Sequence, residues 1–219
     1  MTREPHPAAP SFALVAAAYE RARPGYAAGA VELLARELDL RPGRTVLDLG
    51  AGTGKLARQL VATGARVVAV EPLDELRAFV PPGIEAHAGT AEAIPLPDAS
   101  VDAVVVAQAF HWFDEAAALA EIRRVLCPGG RLALVSNRRE PSPFDELLAR
   151  HRAHPPLEPA PRGVAFPHVH RVDSFAELAS TESSIIVLDD GAREAALREF
   201  EALGGGEIRY LTWVEIRTP

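Results

Sequence analysis

The chain holds a single cysteine, Cys127, among 219 residues. No disulfide can form within it, and a reducing compartment is the simple expectation. Long apolar runs are missing as well: none reaches the roughly 18 residues that a membrane span requires. The opening "MTREPHPAAPSFALVAAAYERAR" carries acid and proline where a secretion signal needs a basic leader. A cationic surplus is also absent, because 23 Lys and Arg stand against 30 Asp and Glu, a formal net charge of −7. A polyanionic partner favours a basic face, so neither nucleic acid nor membrane is expected as a partner. The expected setting is cytoplasmic.

What is present suits a single domain. Hydrophobic residues make up 48% and charged residues 24% of the chain, enough to bury a continuous core. No internal repeat is visible. Residues 1–11 are Pro- and Ala-rich and are expected to fray. A short helix is expected from Phe12 to about Arg21, ended by "RPGY". "AAGAVELLARELDL" has helical spacing. Then "TVLDLG" reads as a strand, followed by a glycine turn, a helix to about Thr63, and the buried strand "RVVAVEP".

The alternation goes on with a helix over "LDELRAFV", a short strand "IEAHAG" and the apolar run "VDAVVVAQA". That run suits a central parallel strand covered on both faces. The helix "DEAAALAEIRRVL", closed by "CPGG", leads to the strand "RLALVSN". Such βαβ units imply an α/β fold, a doubly wound Rossmann-like mostly parallel sheet with helices on both faces. After Asn137 the chain is proline-rich around a short helix, with "VAFPHVHRV" a candidate edge strand. Two helices follow. "EIRYLTWVEIR" is expected to add antiparallel at the sheet edge. The expected parts are an N-terminal helical lid segment (1–40), a core (41–137) and a C-terminal region (138–219).

The stretch "VLDLGAGTGKLARQL" decides between ligands. A phosphate-binding P-loop needs Ser or Thr after its lysine, and Leu56 follows Lys55. A dinucleotide fingerprint needs a third glycine three residues after the second, where this chain has Lys55. A dehydrogenase with an altered loop stays as the weaker reading. Asp48 puts a carboxylate before the turn, which suits a cationic or zwitterionic ligand better than a pyrophosphate. Glu71 ends the second strand, where a carboxylate can take both hydroxyls of a ribose. A ribose without phosphate and with an amino-acid or sulfonium end describes S-adenosylmethionine.

Four segments in series, "VLDLGAGTGKLARQL", "VVAVEP", "GTAEAIPLPDASVDAVVVAQAFHWFD" and "EIRRVLCPGGRLALVSN", resemble the class I S-adenosylmethionine-dependent methyltransferases. Within them the chain resembles the ubiquinone-biosynthesis-type (methyltransferase type 11) branch that acts on small molecules. "AAAYERARPGY" is similar to that branch's leader. The resemblance implies that Asp48, Gly50, Gly52 and Gly54 line the methionine portion of S-adenosyl-L-methionine and that Glu71 binds the ribose. It places Ala91 and Glu92 in the loop framing the adenine, and Ala107 and Gln108 beneath the cofactor. Thr90 stands where many relatives carry an adenine-binding Asp.

The acceptor side is less determined. His111 is the candidate proton acceptor, with Phe110 and Trp112 as pocket walls and Tyr19 and Tyr26 on a closing segment. Arg138 and Arg139 could meet an anionic acceptor. His151 with His154 and His168 with His170 have no cysteine or acidic partners at fixed spacing, so no metal is expected. Methyl transfer to a small-molecule acceptor by in-line displacement is the expected activity, from a monomer or homodimer. A non-catalytic cofactor-binding protein is the alternative, motivated by the compressed stretch from Arg138 to Arg171. Nucleic-acid methylation is opposed by charge and by the lack of an "NPPY"-like motif.

Overall fold

The computed structural model describes residues 8–155 and 160–219. Part of the expected frayed start and part of the proline-rich stretch therefore lie outside the described residues. The chain begins with one helical turn, α1 (Ala8–Ser11), a 3-10 turn over Phe12–Val15, and α2 (Ala16–Ala22). Arg23 is extended, as Pro24 demands of its predecessor. The next elements are α3 (Ala28–Glu37), β1 (Thr45–Leu49), α4 (Lys55–Leu60), β2 (Arg66–Val70), α5 (Asp74–Arg77) and β3 (Glu85–His87). The helix expected over "LDELRAFV" is a single turn. Pro81 and Pro82, which have no amide N–H and restrict the residue before them, lie just beyond it.

There follow β4 (Val101–Ala107), α6 (Glu115–Val125), β5 (Leu126–Arg139), α7 (Pro143–His151), β6 (Val164–Val172), α8 (Phe175–Ser180), α9 (Ser183–Ile186), α10 (Asp190–Leu203) and β7 (Gly206–Arg217). Side chains of Asp114, Ser174 and Asp189 cap α6, α8 and α10 by accepting backbone N–H groups. "CPGG" does not close a helix turn. It forms the bulged start of β5, where the pairing with β4 shifts register, and Gly130 packs against Leu126 too tightly for a side chain.

Seven strands form one sheet in the order β3-β2-β1-β4-β5-β7-β6. The first five run parallel, and β7 pairs antiparallel with β5. The expected antiparallel addition is present, with β6 outside β7 as the outermost strand. β4 lies between β1 and β5, covered on both faces as its unbroken apolar run requires.

Alternation along the strands sorts the core into two layers. Val46, Val67, Ala103, Val105 and Val135 face α3 and α4 through Leu34, Leu38, Leu56 and Leu60. Leu47, Val68, Val70, Val104, Val106 and Leu132 face α6 through Ala118, Ile122 and Val125. A third cluster joins α7, α8 and α10 to β7 through Phe144, Leu178, Phe200 and Tyr210. Ala22 joins this cluster, so the N-terminal segment is anchored on the C-terminal third of the chain.

Candidate active site

The carboxyl ends of β1, β2, β4 and β5, with part of β7, border a cavity of about 360 Å³. Open α/β sheets bind ligands at this edge. Gly50, Gly52 and Gly54 have φ of 71°, 57° and 77°. In that left-handed region a side chain costs about 1–2 kcal/mol. A Cβ on Gly50 would meet the Ala109 Cβ at 2.7 Å, whereas one on Gly52 would meet nothing within 4 Å. Gly50 is therefore held by packing as well as by its turn, and Gly52 opens on the cavity. Gly54 starts α4 against Val80 and Pro81 and does not line the cavity.

Asp48 is 1% exposed, and its Oδ2 accepts from the Ala57 amide at 3.0 Å. Its Oδ1 is buried with no protein partner. Burial pushes the carboxyl up to about 7, with the nearby Glu71 adding to the shift and the Ala57 amide opposing it. Such a group is completed by a cationic or N–H-bearing ligand.

Glu71 is 5% exposed; its two oxygens accept from the amides of Gly52 (2.9 Å) and Leu73 (3.0 Å). Burial raises its pKa, against those amides and Arg77. A carboxylate has about four lone-pair sites, so two remain for a diol. An unpartnered carboxylate oxygen, a second carboxylate with spare capacity and open space above Gly52 fit S-adenosylmethionine.

The roof comes from the N-terminal segment. Pro10, Phe12, Tyr19, Arg23, Pro24 and Tyr26 line the cavity. Phe12 packs edge-on against both Tyr19 and Trp112, each at 5.9 Å. Lys55 donates to the Glu20 carbonyl at 2.7 Å, and Arg58 reaches the Glu20 carboxylate at 2.9 Å. Burial alone would raise Glu20, but the Thr53 hydroxyl, Arg58 and Lys55 hold it below the usual range. Gln59 makes a reciprocal pair with the Tyr26 backbone, Asn137 donates to the Gly25 carbonyl at 2.8 Å, and Thr212 accepts from the Ala27 amide at 3.0 Å. The extended "RPGY" is thus fixed by core side chains.

Opposite the glycine loop, Arg139 and Tyr210 face one another across β5 and β7, and both line the cavity with Arg23. The Glu182 Oε1 accepts from Arg139 at 2.7 Å and pairs with Arg23 at 3.1 Å, while Asp145 takes the Arg139 Nε at 2.6 Å. Burial would raise the Glu182 carboxyl, and the two guanidinium groups hold it low instead.

Of the residues expected from sequence, the structure brings Tyr19, Tyr26, Asp48, Gly50, Gly52, Glu71, Ala107, Gln108 and Trp112 to the cavity. Gln108 adopts φ 57°, unusual for a residue with a side chain, and its amide nitrogen donates to the Asn137 carbonyl at 3.1 Å. Others lie elsewhere. Ala91 is buried in the core layer under α6, and Glu92 is exposed, accepting from the Asp114 amide at 2.9 Å. Phe110 packs on Phe113 and under Arg217, and His111 stacks on Trp112 at 4.7 Å; neither lines the cavity. Arg139 rather than Arg138 faces it, because successive strand residues point to opposite faces.

Sequence reading missed Arg23, Lys55, Asn137 and Tyr210. A helix-breaking "RPG" and a strand alternating toward its neighbour were the only signals for the first and last. His170 reaches the Ala22 carbonyl at 2.9 Å and His168 stacks on Tyr210 at 5.5 Å. These two histidines therefore brace the roof and the sheet.

A family model described as a methyltransferase domain matches residues 47–134. An uncharacterised methyltransferase of Mycobacterium tuberculosis is 54% identical over 134 residues, 59% of this chain and 53% of its own length. A demethylmenaquinone methyltransferase of Mycobacterium sp. (strain KMS) is 31% identical over 96% of this chain and 90% of its own. The chain belongs to the class I S-adenosylmethionine-dependent methyltransferases. This methyltransferase chain spans about half the length (53%) of the first curated relatives it matches. A solved structure from Anaeromyxobacter dehalogenans, assigned as a type II methyltransferase, shares 26% identity with it. The TM-score is 0.60 over 89% of this chain and 97% of that one. The dehydrogenase reading falls with this membership. Among the described residues, no helix of the methyltransferase is long and apolar enough to cross a membrane.

Proposed function

We propose that the protein transfers a methyl group from S-adenosyl-L-methionine to a small-molecule acceptor by in-line displacement. The observation that carries this is the cavity's carboxylate end. Asp48 there has a buried oxygen without a partner, and Glu71 has lone pairs to spare, over a glycine that leaves room for a ligand. Asp48 would hold the cationic amino-acid end and Glu71 the ribose hydroxyls. The cofactor, when bound, supplies an activated methyl group on a positive sulfur.

The chain then has two tasks, to align the acceptor and to exclude water. Phe12, Tyr19 and Trp112 form an apolar roof that suits the second. Ala107 and Gln108, at the end of the central strand, form the floor between the two ends. His111 lines no part of the cavity, so the role of general base is withdrawn from it. An acceptor nucleophile that is already electron-rich needs no such base.

Calorimetric titration with S-adenosylhomocysteine tests the reading. Binding in the micromolar range, with no heat from NAD, is expected. Absence of heat with S-adenosylhomocysteine on folded protein sinks it. Incubation with methyl-labelled cofactor and a panel of small acceptors then tests transfer.

A further inference from the structure

The cavity is electrically polarised. At the β1–β2 end it is lined by the carboxylates of Asp48 and Glu71, together with Lys55, whose ammonium is engaged by Glu20; at the β5–β7 end its charged groups are the guanidinium groups of Arg23 and Arg139. Three strand spacings separate β2 from β5 in the sheet, roughly 14 Å at about 4.8 Å each. The balancing carboxylates, Glu182 and Asp145, sit behind the arginines and do not line the cavity. Cations therefore face the ligand space, and anions hold them from the rear.

The arrangement is rigid. Arg139 uses Nε for Asp145 and Nη1 for Glu182, and its guanidinium lies over the Phe144 ring at 5.0 Å. Arg23 uses Nε and Nη2 for Thr181 and Glu182, and lies over Tyr19 at 5.6 Å. A guanidinium carries five N–H donors, so each keeps capacity beyond these bonds. Tyr210 adds a phenol next to Arg139; burial raises its pKa, with Arg139 and Arg23 opposing. It therefore stays a neutral O–H donor near neutral pH. Two oriented forks and a phenol, already desolvated on their far side, match a compact planar anion.

Resting on the methyltransferase reading of the same site, we infer that the acceptor is a small organic acid whose carboxylate docks on Arg139, Arg23 and Tyr210. The carboxylate orients the acceptor, so that the rest of the molecule extends along the cavity over Ala107 and Gln108 toward the cofactor end. Amides and esters of the same shape lack the charge and leave both guanidinium groups facing an uncharged partner in a confined space.

The test uses protein saturated with S-adenosylhomocysteine, so that cofactor binding is established before the acceptor end is probed. Benzoate, phenylacetate and cinnamate are titrated beside their amides by ligand-observed NMR. Each acid is expected to bind at least tenfold tighter than its amide. Replacing both Arg139→Gln and Asp145→Asn, which avoids a carboxylate left without its cation while Glu182 keeps Arg23, is expected to bring acid and amide within twofold. Equal binding of acid and amide to the native chain, or no acid binding at millimolar concentration, overturns the inference and leaves the cofactor reading intact. So does an acid preference that survives the double substitution. Loss of S-adenosylhomocysteine affinity in the folded double variant also overturns it, because the guanidinium would then belong to the cofactor's own carboxylate.

Discussion

Lys55 reaches back from the first turn of α4 to Glu20 in α2, donating to its carbonyl oxygen at 2.7 Å and standing 3.4 Å from its carboxylate. It is the only lysine in the chain, and it occupies the slot where a dinucleotide loop would carry its third glycine. One residue thus excludes one cofactor class from the loop and ties the roof to the loop. Burial lowers its pKa, although Glu20 draws it back up.

Lys55→Met removes a charge-assisted hydrogen bond worth about 1.5–3 kcal/mol. The roof should loosen. S-adenosylhomocysteine affinity is expected to fall roughly 10- to 100-fold, and protease cleavage between Phe12 and Tyr26 to accelerate. Calorimetry and timed proteolysis with peptide mapping check both. Unchanged cleavage in that segment would show that the other roof bonds suffice.

Two glycines separate turn geometry from ligand space. Gly50→Ala combines a left-handed backbone with a 2.7 Å approach to the Ala109 Cβ. It should cost roughly 2–4 kcal/mol and lower Tm by about 5–15 °C. Gly52→Ala meets open space and should cost only about 1–2 kcal/mol, while weakening S-adenosylhomocysteine binding by blocking the cavity. Thermal melts and titrations on the pair read the contrast. Binding by Gly52→Ala at native affinity contradicts the placement of the ligand over this glycine.

Glu71→Gln keeps the side chain's shape but turns one acceptor into a donor that faces a backbone amide, either Gly52 or Leu73. The variant should bind S-adenosylhomocysteine on the order of 10- to 100-fold more weakly. Adenosine measured alongside distinguishes the cause: it should lose affinity by a similar factor if the ribose is what Glu71 holds.

The strands and their order of appearance were legible because apolar alternation is a local property. "VDAVVVA" could be placed centrally from its unbroken burial pattern, and Asp48 and Glu71 from their positions at strand ends. The β5–β7 end of the cavity was legible only in part. Choosing between Arg138 and Arg139 requires knowing which face of β5 meets the cavity, and that is set by pairing with β7 near the far end of the chain. Arg23 meets Glu182 across nearly the whole sequence, and nothing local marks that contact. His168 and His170 could be set aside as metal ligands from spacing alone, but the bracing contact of His170 with the Ala22 carbonyl could not be foreseen, because it joins residues 148 positions apart.

Asp48 gives a pH prediction with a definite sign. Its carboxyl has a folded pKa of about 7, raised by burial from an ordinary 3.8. Between those values the folded protein binds more protons than the unfolded one. Stability from this group is therefore greatest below about pH 4 and is lost as pH rises to 7. At one pKa unit per about 1.4 kcal/mol, the loss is on the order of a few kcal/mol. Asp48→Asn keeps an acceptor for the Ala57 amide and removes the buried charge. The apo variant should be more stable than the native chain at pH 8, by several degrees in Tm, and show little gain at pH 4. Cofactor binding should move the opposite way, because a cationic ligand favours the ionised carboxylate. S-adenosylmethionine is expected to bind the native chain with proton release near pH 6.5, measurable as a buffer-dependent heat, and to bind Asp48→Asn weakly. An Asn variant that melts below the native protein at pH 8 would mean that the Asp48 charge is compensated in the folded state. The carboxylate would then not be waiting for a ligand.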